Sequence, residues 1–181
     1  GDLDVDAALA LMNPTGVDEL DVAVVDTGRL ARTGHPEVVF GQGKEAEDIV
    51  AILERLHAAE QPGVVTRLSA AKAEVILAAL PDAVYHRRAR VLVLPSNIPI
   101  PAPDVRGKIV IVCAGTSDLP VAEEAAIITE TFGHPIHRIW DVGVAGIHRV
   151  MNHKDTLQSA SAIVVIAGME GALASVVAGL V

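Results

Sequence analysis

Ile109-Val110-Ile111-Val112-Cys113-Ala114-Gly115-Thr116-Ser117-Asp118-Leu119-Pro120 passes from four β-branched residues to glycine, two hydroxyls and a carboxylate. A continuous apolar run of this kind suits a strand buried on both faces, where stiff branched side chains pack well and no alternation is needed. The polar block ends it abruptly. The same handover occurs twice more: residues 136–142 lead into Val142-Gly143-Val144-Ala145-Gly146-Ile147-His148-Arg149, and residues 163–166 lead into Ala167-Gly168-Met169-Glu170-Gly171-Ala172. Helical patterns follow at 119–132, 147–160 and 172–180, so strand and helix alternate, which implies right-handed crossovers and a parallel sheet. In such sheets the handovers line up outside the carboxyl ends of the strands, where ligands bind. The three blocks are therefore predicted to form one site.

Composition agrees with a packed α/β chain. Hydrophobic residues make up 51% of the 181 residues and aromatics only 2%, so the core must be aliphatic, as parallel sheets under helices prefer. A net charge of -9 argues against nucleic acid or an anionic membrane as partner, since both reward clustered cations. A phosphorylated small molecule needs only a few local Arg or Lys. With one cysteine and no basic-then-apolar leader, the cytoplasm is the expected compartment. Residues 162–181 imitate a membrane span, but the break at Gly168 to Gly171 and the carboxylate of Glu170 favour a strand, a turn and a helix.

Residues 1–94 read as a small α/β domain. A helix is expected over 5–12, a strand over 22–26, and Thr27 as the N-cap of a turn or helix carrying Arg29 and Arg32. Residues 38–40 then form a strand with Gly41-Gln42-Gly43 as its exit. Ile49, Val50, Leu53 and Leu56 recur at helical spacing, giving an amphipathic helix over 45–57. A strand over 64–67, a helix over 70–80 capped by Ser69 and stopped by Pro81, and a strand over 91–94 complete it. Four prolines between Pro95 and Pro103 exclude helix and central strand, so 95–104 reads as a linker. The sheet domain occupies 105–181. It reaches Val181 straight after an apolar helix, which suggests that it is C-terminally incomplete, and apolar Val176, Val177, Leu180 and Val181 there suggest a homo-oligomer.

Gly115-Thr116-Ser117-Asp118 opens a helix, whose unpaired amides and dipole can hold a phosphate or carboxylate. Ser117 or Asp118 could equally be a plain N-cap. Gly168-Met169-Glu170-Gly171 offers a similar loop, with ordinary turn chemistry as the alternative. His148-Arg149 places a proton-transfer group and an anion-pairing group at the same edge, or else forms a solvated first helical turn. Cys113 ends an aliphatic strand, where burial raises a thiol's pKa and makes it inert. The histidines show no paired metal-ligand spacing. Asp2, Asp4 and Asp6 imitate the start of a calcium loop without its later glycine and glutamate.

The three strand-end blocks resemble the aminoimidazole ribonucleotide carboxylases, which pair a flavodoxin-like sheet with a Gly-Ser-x-Ser-Asp loop, a Ser-Ala-His-Arg block and an Ala-Gly-x-Gly-Gly-Ala block. Here Thr116 stands at a hydroxyl position, two residues separate Ala145 from His148, and Glu170 replaces a glycine. Together with the stretch from Arg29 to Lys44 containing Gly34-His35-Pro36-Glu37-Val38-Val39-Phe40-Gly41-Gln42-Gly43, these departures resemble the LarB family of nickel-pincer nucleotide biosynthesis. That resemblance implies a flavodoxin-like parallel sheet domain preceded by a small α/β domain. It also implies nicotinic acid adenine dinucleotide and CO2 as substrates, a pyridinium biscarboxylic acid mononucleotide and AMP as products, and no tightly bound cofactor, a divalent ion being an option for the phosphoanhydride cleavage. Asp118, His148 and Glu170 become candidates for proton transfer. Gly115, Thr116, Ser117, Arg149, Gly168, Gly171, Arg32 and Lys44 become candidates for binding substrate, with the N-terminal domain as a cover. The family's nucleophilic cysteine lies in a motif beyond Val181 and is not matched by Cys113, so these 181 residues are expected to be inactive by themselves. A purine-pathway carboxylase and a nucleotide-binding module without catalysis are the alternatives.

Overall fold

The computed structural model describes residues 16–96 and 107–181. The helix expected over 5–12, Asp2, Asp4 and Asp6, and linker residues 97–104 lie outside the described residues. Two compact units emerge, one from residues 16–85 and 92–96, the other from 86–91 and 107–181.

In the first unit, β1 (Val17–Glu19) and β2 (Val24–Asp26) form an antiparallel pair. A larger sheet has the order β3-β4-β6-β5, from β3 (Val38–Phe40), β4 (Gly63–Thr66), β5 (Val84–His86) and β6 (Val91–Leu94). There β3 and β4 run parallel while β4 and β6 are antiparallel. Among the described residues three helices accompany them: α1 (Arg29–Thr33), α2 (Ala46–Ala58) and α3 (Ala70–Ala79). The apolar stripe of α2 buries Ile49, Ile52, Leu53 and Leu56 against a cluster containing Val65, Ile76 and Leu92. Ser69 caps α3 as predicted, its Oγ accepting from the Lys72 amide at 3.4 Å.

Thr27 does not cap α1. Its hydroxyl is committed to the hairpin, bonding the Gly16 carbonyl at 2.7 Å with Asp18 Oδ2 at 3.2 Å, and Gly28 occupies the cap position without a side chain. The strands β1 and β5 are not predicted by the sequence, because Val17-Asp18-Glu19 and Val84-Tyr85-His86 each carry a single β-branched residue, unlike Val38-Val39-Phe40. Lys72 closes the turn after β3: its Nζ donates to the carbonyls of Gly41 and Gln42, both at 3.3 Å, and to that of Lys44.

The second unit is the predicted α/β alternation. Its sheet has the order β8-β7-β9, from β7 (Ile109–Cys113), β8 (Ile136–Ile139) and β9 (Ala162–Ile166), with both pairings parallel. Alternate residues of β7 feed opposite faces. Ile111 and Cys113 cluster with Ala122 and Ala126 of α4 (Leu119–Thr131), while Val110 and Val112 cluster with Val150, Leu157, Leu173 and Val177. Both faces are therefore covered by helix, which is why β7 reads as unbroken apolar sequence.

Three differences from expectation stand out in this unit. Strand β8 stops at Ile139, and Asp141 takes a left-handed φ of 58° just beyond it. The helix expected over 147–160 is broken into α5 (Ile147–Met151) and α6 (Lys154–Gln158) across Asn152 and His153, both weak helix formers. Finally, α7 (Ala172–Leu180) turns its apolar residues inward: Val177 is 2% exposed, and Val176 and Leu180 pack on the same cluster. Of the four residues suggested as an oligomer surface, only Val181 is exposed. Residues 162–181 form strand, loop and helix as expected, and no described helix is long and apolar enough to cross a membrane.

Candidate functional site

The order β8-β7-β9 places the first strand of the unit in the middle, so the chain leaves β7 for one neighbour and later returns to the other side of it. Connections diverge at such a point and leave a crevice at the carboxyl ends of the strands. A cleft of about 340 Å³ occupies it, within the roughly 300–1,000 Å³ range of small-molecule sites. Each predicted block contributes. Ala114, Gly115, Ser117 and Asp118 come from the loop after β7; Asp141, Gly143, Val144 and Ala145 from that after β8, with Arg149 from α5. Ala167, Gly168, Met169 and Glu170 come from that after β9, with Ala172 and Leu173 from the start of α7.

Asp118 joins two of these loops. Its Oδ2 accepts from the Gly115 amide at 2.9 Å, and its Oδ1 accepts from the Gly168 amide at 3.0 Å. The first bond is the return half of a cap on the short 3-10 turn Thr116–Asp118; the second ties the third loop to the first. The cap reading and the site reading of Asp118 are thus the same geometry. One carboxylate fixes two loop amides, one through each of its oxygens.

Arg149 fixes the second loop in a comparable way. Its Nη1 donates to the Asp141 carbonyl at 2.7 Å and sits 3.2 Å from Asp141 Oδ1, and its Nη2 donates to the Gly143 carbonyl at 3.2 Å. Gly143 then approaches the first loop, donating to the Ala114 carbonyl at 2.7 Å. The guanidinium therefore shapes the wall of the cleft.

The remaining candidates separate by position. Ser117 lines the cleft, whereas Thr116 and Gly171 lie beside it in its first and third loops; Gly171 has a left-handed φ of 69°, a turn conformation that only glycine adopts freely. His148 stands exposed on the first turn of α5 and does not line the cleft. Glu170 is exposed in the third loop and does line it. Arg32 and Lys44 belong to the other unit, where Arg32 pairs with Asp26 at 2.7 Å and Lys44 presents its carbonyl to Lys72. Asp141 and Met169 line the cleft without having been singled out as functional. The signal available for Asp141 is a carboxylate immediately after the β8 run, and for Met169 a long apolar side chain inside a Gly-rich loop.

No cluster of three or more His, Cys, Asp or Glu side chains able to hold a metal ion occurs among the described residues. Both oxygens of Asp118 already accept from amides. Asp118, Asp141 and Glu170 line the cleft without forming such a cluster.

Cys113 is fully buried at the end of β7, and burial pushes its thiol above the ordinary range, opposed by a hydrogen bond with the Asp141 backbone. The sign of the consequence is fixed. The unfolded chain ionises its thiol first, near pH 8.5, so stability is lost as pH rises from there through the higher folded-state value. Urea denaturation at pH 7.5 and 9.5 should show a loss of stability at the higher pH that is smaller in a Cys113→Ala variant. Equal losses in both proteins would mean that the thiol ionises as readily folded as unfolded.

Residues 17–96 match the LarB/PurE-like N-terminal domain family. The chain is also 32% identical, over 193 aligned residues, to a protein of Methanocaldococcus jannaschii described as "Uncharacterized protein MJ0165"; the alignment spans all of this chain and 73% of the relative.

Proposed function

Because the chain belongs to the LarB/PurE-like family, we propose that its sheet unit is the nucleotide-holding part of a carboxylase that acts on nicotinic acid adenine dinucleotide, adding CO2 to pyridine carbon 5 and releasing AMP. The observation that carries this reading is the convergence of three strand-end loops on one cleft at the point where strand order reverses, with Asp118 holding the first loop to the third. Amides at a helix-opening loop suit phosphate and ribose oxygens; those of Gly115, Gly143, Gly168 and Gly171 are already bonded between or within the loops, so the role falls to their neighbours. Glu170 and Asp141 are the carboxylates available at the cleft wall for ribose hydroxyls or for proton transfer. His148, exposed on α5, stands outside the described lining, which makes it the weakest of these three candidates for proton transfer.

The chemistry also says what these residues do not supply. A pyridinium carbon is too electron-poor to attack CO2; a nucleophile must first add to the ring, carbon 5 then bonds CO2 and loses its proton, and expulsion of the nucleophile restores aromaticity. The resemblance gives that first role to a thiolate. Cys113 is the sole cysteine of these 181 residues, and it is buried with its thiol held protonated. The chain by itself should therefore bind the dinucleotide or AMP and carboxylate nothing.

Calorimetric titration with nicotinic acid adenine dinucleotide, followed by incubation with labelled bicarbonate, tests both halves. Binding without label in a pyridine product is expected, for the parent and for Cys113→Ser alike. Absence of binding would overturn the proposed site. Label that appears with the parent and vanishes with the variant would make Cys113 the nucleophile after all. Preference for aminoimidazole ribonucleotide over the dinucleotide would return the chain to purine carboxylation.

A further inference from the structure

Met169 is 100% exposed, yet it lines the cleft. A long apolar side chain wholly in water forgoes the burial that apolar surface normally finds. Its backbone is also in the left-handed region, with φ 47°, where a side chain crowds the following carbonyl. The position is not loose. The Gly168 amide before it is held by Asp118 Oδ1 at 3.0 Å, and the Gly171 amide after it closes the turn on the Gly168 carbonyl at 3.0 Å. Glycine would remove the backbone strain, and a polar residue would remove the unfavourable exposure. A methionine held out at the rim of the cleft, disfavoured on both counts in the free protein, makes physical sense if a bound partner covers it.

The partner's chemistry follows from the side chain. Methionine is unbranched, flexible and carries a polarisable sulfur that packs well against flat aromatic rings. Resting on the reading of the cleft as a nucleotide site, we infer that Met169 is a ligand-contacting residue that lays its thioether on the heteroaromatic ring of the bound nucleotide, while the loop amides below hold the phosphate and ribose. The contact recognises a flat face without reading its edge. It therefore sets a requirement for a ring and leaves the choice among rings to other groups.

The test uses three probes: AMP, nicotinic acid mononucleotide and ribose 5-phosphate, titrated calorimetrically into the purified chain. Met169→Ala should bind at least one of the two ring-bearing probes roughly tenfold more weakly, and ribose 5-phosphate as well as the parent does. The probe that weakens identifies the ring seated under Met169. Met169→Leu, which keeps the apolar bulk, should retain most of the affinity. Met169→Gly should melt no lower than the parent, because it relieves the left-handed strain, while losing the same ring affinity. Unchanged affinity of both ring-bearing probes in Met169→Ala would overturn the inference and leave the nucleotide site standing. Equal weakening of ribose 5-phosphate would also overturn it, by showing that the loop had collapsed. Failure of the parent to bind any probe would remove the site itself, and this inference with it.

Discussion

Asp118→Ala in the intact protein is expected to lower turnover by about two orders of magnitude while the fold survives. The substitution removes the acceptor of two amide bonds at once, at 2.9 Å and 3.0 Å, and leaves the Gly115 and Gly168 amides to solvent. Hydrogen bonds to a charged group contribute about 1.5–3 kcal/mol each when their partner is lost from a buried site, and less where water can replace it. Asp118 is only half-buried, so about 1–3 kcal/mol in total is a reasonable loss of stability for a unit whose cores lie elsewhere. The larger effect falls on function, because misplacing substrate-holding loops by about 1 Å can cost 10²-fold in rate. Asp118→Asn should fall between parent and Ala: the amide keeps one acceptor oxygen for one loop but presents a donor to the other. Steady-state kinetics with a parallel thermal melt checks the ordering. Rates equal to the parent's, with only a lowered melting temperature, would reduce Asp118 to a cap.

Gly143→Ala should be nearly as damaging, for a steric reason. Gly143 has φ -57° and ψ 150°, a conformation open to alanine, so no backbone strain is involved. The added Cβ, however, would lie 2.9 Å from the Ala114 carbonyl oxygen, an atom of rigid backbone that also accepts the Gly143 amide at 2.7 Å. The first and second loops must then part. A cost of about 1–3 kcal/mol in stability and at least tenfold in dinucleotide affinity is expected. Gly179→Ala, which meets nothing within 4 Å on α7, is the matched control and should be neutral or stabilising. Gly143→Ala binding and melting like the parent would show that the two loops are not packed as described.

The parts of the fold that were legible in the sequence are those whose burial is one-sided or complete. β7 declares itself because both of its faces are covered by helix, and α2 because Ile49, Leu53 and Leu56 must share one stripe. Thr27 misled because a hydroxyl before a helix looks the same whether it bonds forward to the helix or, as here, back to Gly16 across the hairpin. Long-range partners also hid what Asp118 and Arg149 do. Spacing shows a carboxylate at a helix start and a guanidinium after a strand, but not that the first reaches Gly168 or that the second spends its donors on Asp141 and Gly143. His148 is a chemically attractive residue at the same edge, and its spacing does not show that it stands exposed on α5 rather than in the lining of the cleft.

The bond from Asp118 to Gly168 joins residues fifty positions apart in the chain. Closing so long a loop costs entropy that a single hydrogen bond cannot recover, so the bond can persist only once β9 has docked beside β7. The third wall of the cleft is consequently missing from any state in which β9 has left β7. Such a state keeps the loops after β7 and β8 but loses both the loop after β9 and the bond that holds it to Asp118.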